Sequence, residues 1–318
     1  MRKRPLGKTG VEVSEIAFGG VEIGMPYGIG VESASDMPTE TEAIHLLHMA
    51  LEEGINFFDT ARLYGHSEAI LGKAFHDRRD QVIIASKSVY FKDKKGKIPE
   101  YAYLKKIIET SLQESLAALQ TDYIDIYMLH QVDEEILENE GICRIYSDLK
   151  ASGIIRATGA STYSVAQTRK AIAMGMWDVI QLPFNLMDQR QAATFASAAQ
   201  AGIGIVVRSV LFKGILSQRG RNLHPALKEV ESHVRNYDQF LSDSLPDLPT
   251  LATKFALSYE EVASILVGID RMEYLYNSLE AANGKYLDVN TLSKAKELCY
   301  PDPSFLDLHK WDKMGWLR

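Results

Sequence analysis

EGINFFDTARLYG, residues 53–65, contains the end of a helix, a short strand and a polar loop within one segment. The helix is predicted to begin at Thr39, where Glu42 completes a capping box, and to end at Gly54. Asn56–Asp59 is a predicted strand, because a short run rich in aromatic residues follows the helix end. A helix followed by a buried strand is typical of α/β proteins, and the neighbouring sequence repeats that order.

Strands and helices alternate on both sides of this segment. The other seven predicted strands are Glu15–Phe18, Gln81–Ser86, Asp125–Leu129, Ile155–Gly159, Val179–Leu182, Ile203–Val207 and Ser264–Val267. The helices predicted after the first one are Ser67–His76, Tyr101–Leu119, Ile136–Ala151, Ser164–Met174, Gln191–Ala201, Leu251–Leu257 and Met272–Ala282. Eight strands that alternate with eight helices indicate a parallel sheet, which right-handed crossovers either close as a barrel or wind on both faces.

Three segments lie outside this alternation. Arg4–Val13 is a predicted hairpin, and Val210–Pro249 is a long loop after the seventh strand with its own helix at Ala226–Phe240. Residues 284–318 form a tail that either covers the barrel mouth as a lid, or packs on the barrel's outside or on a second subunit. We expect a single domain over residues 1–318, with the barrel itself at about residues 15–283.

The composition indicates a globular chain in a reducing compartment. Of the 318 residues 46% are hydrophobic and 24% charged, as in folded domains, and the net charge of −7 offers no basic face for nucleic acid. Two cysteines, Cys143 and Cys299, are too few for a disulfide framework, and Cys143 is expected to be a buried thiol. No signal-peptide pattern and no long apolar run are seen, so a cytoplasmic location without a membrane partner is expected.

Asp59, Lys87 and His130 occupy the carboxyl ends of three successive predicted strands. In a (β/α)8 barrel these ends surround the active-site mouth, so the three side chains should meet there, with Tyr64 on the loop after Asp59. A nearby ammonium lowers the pKa of a tyrosine, and a carboxylate holds that ammonium in place. A neutral histidine either holds a carbonyl oxygen or shares in delivering the proton. The set is suited to protonating the alkoxide that develops when a carbonyl is reduced.

Residues 53–65 closely resemble the second-strand signature of the aldo-keto reductases. Ser86-Lys87 resembles the lysine strand of that family, and Met128-Leu129-His130 resembles its histidine strand. The resemblance extends from about Leu6 to about Asn283 and implies a (β/α)8 barrel. It also implies an oxidoreductase that reversibly transfers hydride between a nicotinamide cofactor and an aldehyde, ketone or sugar carbonyl.

The resemblance implies a role for each of the four residues. Tyr64 would be the general acid in reduction and the base in oxidation, and Lys87 would lower its pKa. Asp59 would pair with Lys87, and His130 would orient the substrate carbonyl. The family binds its cofactor without a Gly-rich dinucleotide fingerprint, so Gly28–Ser33 is expected to be a flexible loop.

Cofactor contacts around the mouth are implied as well. Ser161 and Gln181 would hold the nicotinamide carboxamide, and Thr162 stands where relatives carry an asparagine. Arg208 would stack its guanidinium on the nicotinamide, at a position where relatives place an aromatic ring. The remaining implied contacts are Gly20, Val21, Ser209, Leu211, Gly214, Arg271 and Asn277.

The preference between NADPH and NADH is expected to be weak. Relatives strict for NADPH hold its 2′-phosphate with side chains at positions that match Gly268, Ile269 and Tyr274, none of which is a cation. Arg271 is the cation expected near the phosphate, and the carboxylate of Asp270 opposes it. We therefore expect both cofactors to be used, with NADPH slightly ahead.

Two other functions agree with the same residues. One is a nicotinamide-binding regulatory subunit of the same fold with little turnover. The other is a barrel lyase or isomerase that forms a Schiff base on Lys87. His45 and His48, three residues apart on the first helix, are expected to lie on a solvated face, and no metal site is expected. The physiological carbonyl and the oligomeric state are left open by these residues.

Overall fold

A two-stranded antiparallel hairpin closes the amino end of the barrel. Its strands are β1, Lys3–Pro5, and β2, Glu12–Ser14. Leu6 and Val13 are fully buried and pack with the side chains inside the barrel. Gly204 leaves the room that Leu6 needs, since an added Cβ would lie 2.6 Å from the Leu6 Cδ1. The predicted hairpin is confirmed.

Eight parallel strands form the barrel in the computed structural model, which describes residues 1–31 and 33–317. They are β3 Ile16–Gly19, β4 Phe57–Asp59, β5 Ile83–Lys87, β6 Ile124–Leu129, β7 Ile155–Ser161, β8 Val179–Pro183, β9 Gly204–Arg208 and β10 Val262–Gly268. Because β10 pairs with both β9 and β3, the sheet is closed, and the (β/α)8 barrel is confirmed. Glu32, in the predicted loop Gly28–Ser33, and Arg318, at the end of the tail, lie outside the described residues.

Helices surround the strands and pack their apolar faces on the barrel wall. In the described residues they are α1 Val21–Gly24, α2 Glu40–Glu52, α3 Ser67–Phe75, α4 Tyr101–Leu119, α5 Glu134–Glu138, α6 Glu140–Ala151, α7 Val165–Met174, α8 Ala192–Ala201, α9 Lys228–Arg235, α10 Leu248–Leu257, α11 Met272–Ala281, α12 Val289–Glu297 and α13 Leu308–Lys313. The capping boxes predicted at Thr39 and Ser164 begin α2 and α7. None of these helices is long and apolar enough to cross a bilayer.

Some helices differ from the prediction. The helix predicted at Ile136–Ala151 is two helices, α5 and α6, because Asn139 leaves the helical conformation and its side chain accepts a hydrogen bond from the Ile142 N–H. Of the helix predicted at Ala226–Phe240, only α9 is α-helical, and 3₁₀ turns flank it. The short α1 is absent from the prediction, because a single turn shows no helical period.

The tail after α11 returns to the carboxyl end of the barrel. Trp311 in α13 is fully buried against Phe212, and the two ring centroids lie 5.7 Å apart. The Lys213 ammonium lies 3.2 Å from the Asp312 carboxylate. Because Phe212 and Lys213 belong to the loop after β9, α13 packs on that loop at the barrel mouth. The predicted alternatives for the tail were a lid over the mouth, packing on the barrel's outside and packing on a second subunit. The position of α13 at the mouth agrees best with the lid.

Candidate active site

An ion pair is buried at the carboxyl ends of β4 and β5. The Lys87 Nζ donates hydrogen bonds to the Asp59 Oδ2 at 2.5 Å and to the Thr60 carbonyl oxygen at 3.0 Å. The Lys87 and Asp59 side chains are 0% and 3% exposed. The Gln181 Nε2, from β8, donates to the Asp59 Oδ1 at 2.8 Å. Both Asp59 oxygens therefore have partners, and the Lys87 ammonium is held in one place.

Tyr64 lies next to this pair, on the loop after β4. The Lys87 Nζ lies 4.9 Å from the centroid of the Tyr64 ring. His130, directly after β6, meets the Tyr64 ring edge-on, with centroids 5.4 Å apart and an interplanar angle of 84°. The structure thus brings Asp59, Tyr64, Lys87 and His130 together, where the strand-end argument placed them.

The loop that carries Tyr64 is braced by buried polar contacts. The Arg62 Nη1 donates to the Glu68 Oε2 at 2.6 Å. The Ser86 hydroxyl donates to the Glu68 Oε1 at 2.6 Å. These contacts connect the loop to α3 and to β5. Arg62, which belongs to the same sequence signature as Tyr64, thus connects this loop to its neighbours.

The Tyr64 hydroxyl keeps its proton at neutral pH. Burial raises the pKa of Tyr64 well above its ordinary value, and the negative charge of Asp59 adds to this, while Arg208 lowers it. Burial lowers the pKa of Lys87, and Asp59 opposes that change. The hydroxyl is therefore protonated and available as a donor, while its raised pKa makes it a weaker acid than a free tyrosine in the protein without ligand. The expected lowering of the Tyr64 pKa by Lys87 stays a prediction.

His130 is neutral over the physiological pH range. Burial, together with the positive charges of Lys87 and Arg208, lowers the pKa of His130 to about 3. Its Nδ1 is buried and has no hydrogen-bond partner in the described part of the chain. A neutral imidazole has one N–H and one free lone pair, so it can hold a carbonyl oxygen without adding charge.

The four residues adjoin a cleft of about 1080 Å³ that extends to α11. The predicted cofactor contacts that line this cleft are Gly20, Val21, Ser161, Gln181, Arg208, Ser209, Leu211, Gly214 and Asn277. On the loop after β9, the non-glycine residues Ser209, Phe212 and Lys213 have positive φ values of 60°, 49° and 58°. Such strained backbone is typical of loops that bind ligands.

Thr162 and Arg271 do not line the cleft. The Thr162 hydroxyl pairs with the Thr168 hydroxyl at 2.7 Å, and Thr162 is fully buried. The Arg271 guanidinium pairs with Asp270 at 3.2 Å and packs on the Tyr274 ring. A neighbour holds each side chain in this structure, and the roles of Thr162 and Arg271 as cofactor contacts stay predictions. Asp270, in contrast, lines the cleft.

Arg208 stacks on an aromatic ring of the protein. Its guanidinium carbon lies 4.4 Å from the centroid of Tyr163, and its Nη2 donates to the Thr162 carbonyl oxygen at 3.0 Å. These contacts hold the guanidinium at the mouth, where its charge acts on Tyr64 and His130. The expected stacking of Arg208 on a nicotinamide stays a prediction.

Glu22, Tyr27 and Tyr163 also line the cleft and are absent from the sequence prediction. Glu22 follows the end of β3, and Tyr163 follows the end of β7. The rule that strand ends surround the mouth would have found both. Tyr27 lies farther along its loop, where distance from a strand carries no signal.

The other candidate sites have ordinary structural explanations. The His48 Nε2 shares a hydrogen bond with the Ala74 carbonyl oxygen at 2.7 Å, while His45 is exposed. Among the residues described, no group of three or more His, Cys, Asp and Glu side chains is arranged to hold a metal ion. Cys143 is half-buried rather than buried as predicted, and its Sγ donates to the Leu137 carbonyl oxygen at 3.6 Å.

Known proteins share this sequence pattern and this fold. The model of the Aldo/keto reductase family matches residues 15–298. The chain is 28% identical over 300 residues to the "Uncharacterized oxidoreductase YqkF" of Bacillus subtilis (strain 168), covering 90% of this chain and 93% of that protein. It is 28% identical over 312 residues to the "NADH-specific methylglyoxal reductase" of Escherichia coli (strain K12), covering 89% and 94%.

A solved structure agrees with these matches. The holo form of aldo-keto reductase AKR11C1 from Bacillus halodurans has a TM-score of 0.78 and 26% identity, over 95% of this chain and 97% of that one. The family match includes all eight barrel strands and the four residues at the mouth. The chain therefore belongs to the aldo/keto reductase family, whose members are oxidoreductases that act on carbonyls with a nicotinamide cofactor.

Proposed function

We propose that this chain reversibly transfers hydride between NADPH or NADH and an aldehyde, ketone or sugar carbonyl. The observation that supports the proposal most is the convergence of Asp59, Tyr64, Lys87 and His130 at one mouth. The Lys87–Asp59 ion pair, at 2.5 Å, is buried at a desolvation cost, which favours a functional role for it beside Tyr64.

The cleft next to these residues suits a dinucleotide. Its volume of about 1080 Å³ is at the upper end of the range for small-molecule sites. Ser161 and Gln181 line the cleft near the mouth, where they would hold the nicotinamide carboxamide. Lys213, on the strained loop after β9, also lines the cleft and would face the phosphates. Two buried polar atoms without partners in the described chain, the His130 Nδ1 and the Glu22 Oε2, also favour a polar ligand.

Each residue at the mouth would have one task. When bound, a reduced nicotinamide supplies the hydride. The Tyr64 hydroxyl donates its proton to the substrate oxygen and becomes a phenolate. Lys87, fixed by Asp59, compensates the charge of that phenolate, and the neutral His130 donates a hydrogen bond to the same substrate oxygen. In oxidation the Tyr64 phenolate accepts the alcohol proton.

Both nicotinamide cofactors should be used. Arg271, the cation expected at the 2′-phosphate, pairs with Asp270 instead, and the Asp270 carboxylate lines the cleft. A carboxylate repels a phosphate and accepts hydrogen bonds from a free ribose hydroxyl. A charge-assisted hydrogen bond contributes about 1.5–3 kcal/mol, so we expect neither cofactor to be preferred by more than about tenfold. The NADH-specific relative from Escherichia coli supports the use of NADH.

The cytoplasm is the proposed compartment. Cys143 and Cys299 are both free thiols, which suits a reducing environment.

The proposed substrate class stays broad. Tyr27 and Tyr163 line the cleft with aromatic rings and hydroxyl groups, which would suit sugars as well as simple aldehydes.

An absorbance assay at the reduced-nicotinamide band tests the proposal, with a panel of aldehydes, ketones and sugars and with both cofactors. We expect steady oxidation of NADPH and NADH with at least one carbonyl. Tight cofactor binding without turnover would instead support a regulatory subunit of the same fold. A substrate adduct trapped on Lys87 by borohydride would support Schiff-base chemistry. We expect no adduct, since Lys87 is fully buried and paired.

A further inference from the structure

Glu22 is a carboxyl group in the cleft that the proposed reaction does not use. It lies in α1, directly after β3, and lines the cleft. Its Oε2 is buried and has no hydrogen-bond partner among the residues described. A Cβ added to Gly268, at the end of β10, would lie 2.1 Å from the Glu22 Oε1. Glycine at position 268 is therefore what gives the Glu22 side chain its place between the first and eighth barrel strands.

The groups that face Glu22 do not neutralise a negative charge on it. Asp59 faces it from the end of β4, and Asp270 faces it from the loop after β10. Burial is the main cause that raises the pKa of Glu22 to about 8, the two carboxylates add to it, and the backbone N–H of Glu22 opposes them. Glu22 is therefore mostly a neutral carboxylic acid at pH 7.

Two tyrosines also interact with Glu22, and the lysines of the cleft region have other partners. Tyr27, on the loop after α1, and Tyr64 both interact with Glu22 electrostatically. The Lys87 ammonium is bound to Asp59, and the Lys213 ammonium lies 5.2 Å from the centroid of the Tyr27 ring.

We propose that Glu22 binds the dinucleotide as a neutral carboxylic acid, so that cofactor binding is coupled to the protonation of this residue. The inference rests on the proposed function, and it adds a contact that the sequence signature does not contain. Tyr64 and Asn277, on α11, both line the cleft, and so does Glu22. Because Glu22 interacts electrostatically with Asp59 at the end of β4 and with Asp270 just before α11, a dinucleotide that extends from Tyr64 towards α11 would pass it.

The ionisation state of Glu22 decides whether this contact attracts or repels. The pyrophosphate of a dinucleotide is anionic, and an ionised carboxylate in a buried wall would repel it strongly. A neutral carboxyl offers an O–H donor instead. Glu22 is protonated below its pKa in the free protein, so no proton is needed for binding there. Above that pKa, binding requires proton uptake, and the affinity falls as the pH rises, by up to about tenfold per pH unit.

Calorimetric titration with NADH tests this coupling, because NADH lacks the 2′-phosphate whose own titration would confuse the result. At pH 8.5, titrations in two buffers of different ionisation enthalpy give the number of protons taken up per NADH bound. We expect the parent protein to take up roughly 0.7 of a proton, from a carboxyl with a pKa of about 8. Glu22→Gln, which keeps the size and a neutral donor, should take up close to none.

Dissociation constants for NADH at pH 7 and pH 9.5, followed by protein fluorescence, give a second readout. The parent should bind at least about tenfold more weakly at pH 9.5, and Glu22→Gln should bind equally at both values. Glu273→Gln is the matched control, because Glu273 is an exposed carboxylate on the rim of the same cleft. It should keep the pH dependence of the parent.

The outcomes separate this inference from the proposed function. Equal pH dependence in the parent and in Glu22→Gln would overturn the role of Glu22, and so would pH-independent binding in the parent. Absence of NADH and NADPH binding at every pH would overturn the proposed function itself. If Glu22→Gln folds poorly, an infrared difference spectrum of the parent protein still tests the inference. At pH 9 the parent should gain the carbonyl band of a protonated carboxyl when NADH binds, and a spectrum without that band would contradict the inference.

Discussion

Lys87 and Asp59 form a buried ion pair, so the loss of one charge should destabilise the protein more than the loss of both. In Lys87→Met, the Asp59 carboxylate stays buried at 3% exposure and keeps only the Gln181 amide, at 2.8 Å, as a donor. Breaking a buried pair in this way costs about 3–5 kcal/mol of unfolding free energy. Asp59→Asn should cost a similar amount, since it leaves the Lys87 ammonium without its partner.

The double variant Lys87→Met/Asp59→Asn removes both charges. The asparagine keeps an acceptor for Gln181, so we expect a cost of only about 1–2 kcal/mol and a coupling energy of several kcal/mol between the two sites. Urea unfolding at pH 7, followed by circular dichroism, measures all four proteins. The exposed Lys73–Glu40 pair, at 2.7 Å with side chains 48% and 53% exposed, is the control, and its coupling should stay below about 1 kcal/mol. Additive costs at Lys87 and Asp59 would refute the reasoning.

The other predictions concern pH, cofactor choice and the tail. The rate of carbonyl reduction should show no inflection between pH 5 and 7 from His130, because its pKa is about 3 and it stays neutral there; an inflection near 6.5 that disappears in His130→Gln would contradict this. Arg271→Ala should change the NADPH-to-NADH ratio of kcat/KM by less than about threefold, since Arg271 is engaged by Asp270 outside the cleft. A change above tenfold would indicate that Arg271 binds the 2′-phosphate of NADPH. Asp312→Asn breaks the ion pair with Lys213 at 3.2 Å and should speed cofactor release by up to about fivefold in stopped-flow fluorescence. An unchanged release rate would show that this ion pair between the tail and the loop after β9 does not control cofactor release.

The barrel and the reacting residues follow from local sequence patterns. The capping boxes at Thr39 and Ser164 and the short apolar runs between helices depend on neighbouring residues, and each appears in the structure. The meeting of Asp59, Lys87 and His130 follows from barrel geometry alone, because all three lie at the carboxyl ends of strands.

The directions of individual side chains were not predictable in this way. Glu22 is buried because Gly268, near the other end of the chain, leaves room for it. The Thr162 hydroxyl shares a hydrogen bond of 2.7 Å with the Thr168 hydroxyl in α7 and does not line the cleft. The Arg271 guanidinium lies 3.2 Å from the carboxylate of its neighbour Asp270 and does not line the cleft. In each case the direction of the side chain depends on packing and hydrogen bonds that local sequence patterns do not specify.

The single-turnover rate of carbonyl reduction in Tyr64→Phe tests the central claim most directly. The substitution removes the proposed proton donor and keeps the ring that packs against His130. Tyr90→Phe, at an exposed tyrosine outside the cleft, is the control and should react like the parent. With cofactor and carbonyl saturating, the account predicts a loss of about 10²–10⁴ in rate for Tyr64→Phe and an unchanged dissociation constant for the cofactor. A Tyr64→Phe rate above half that of the parent, in a step limited by chemistry, would contradict the account.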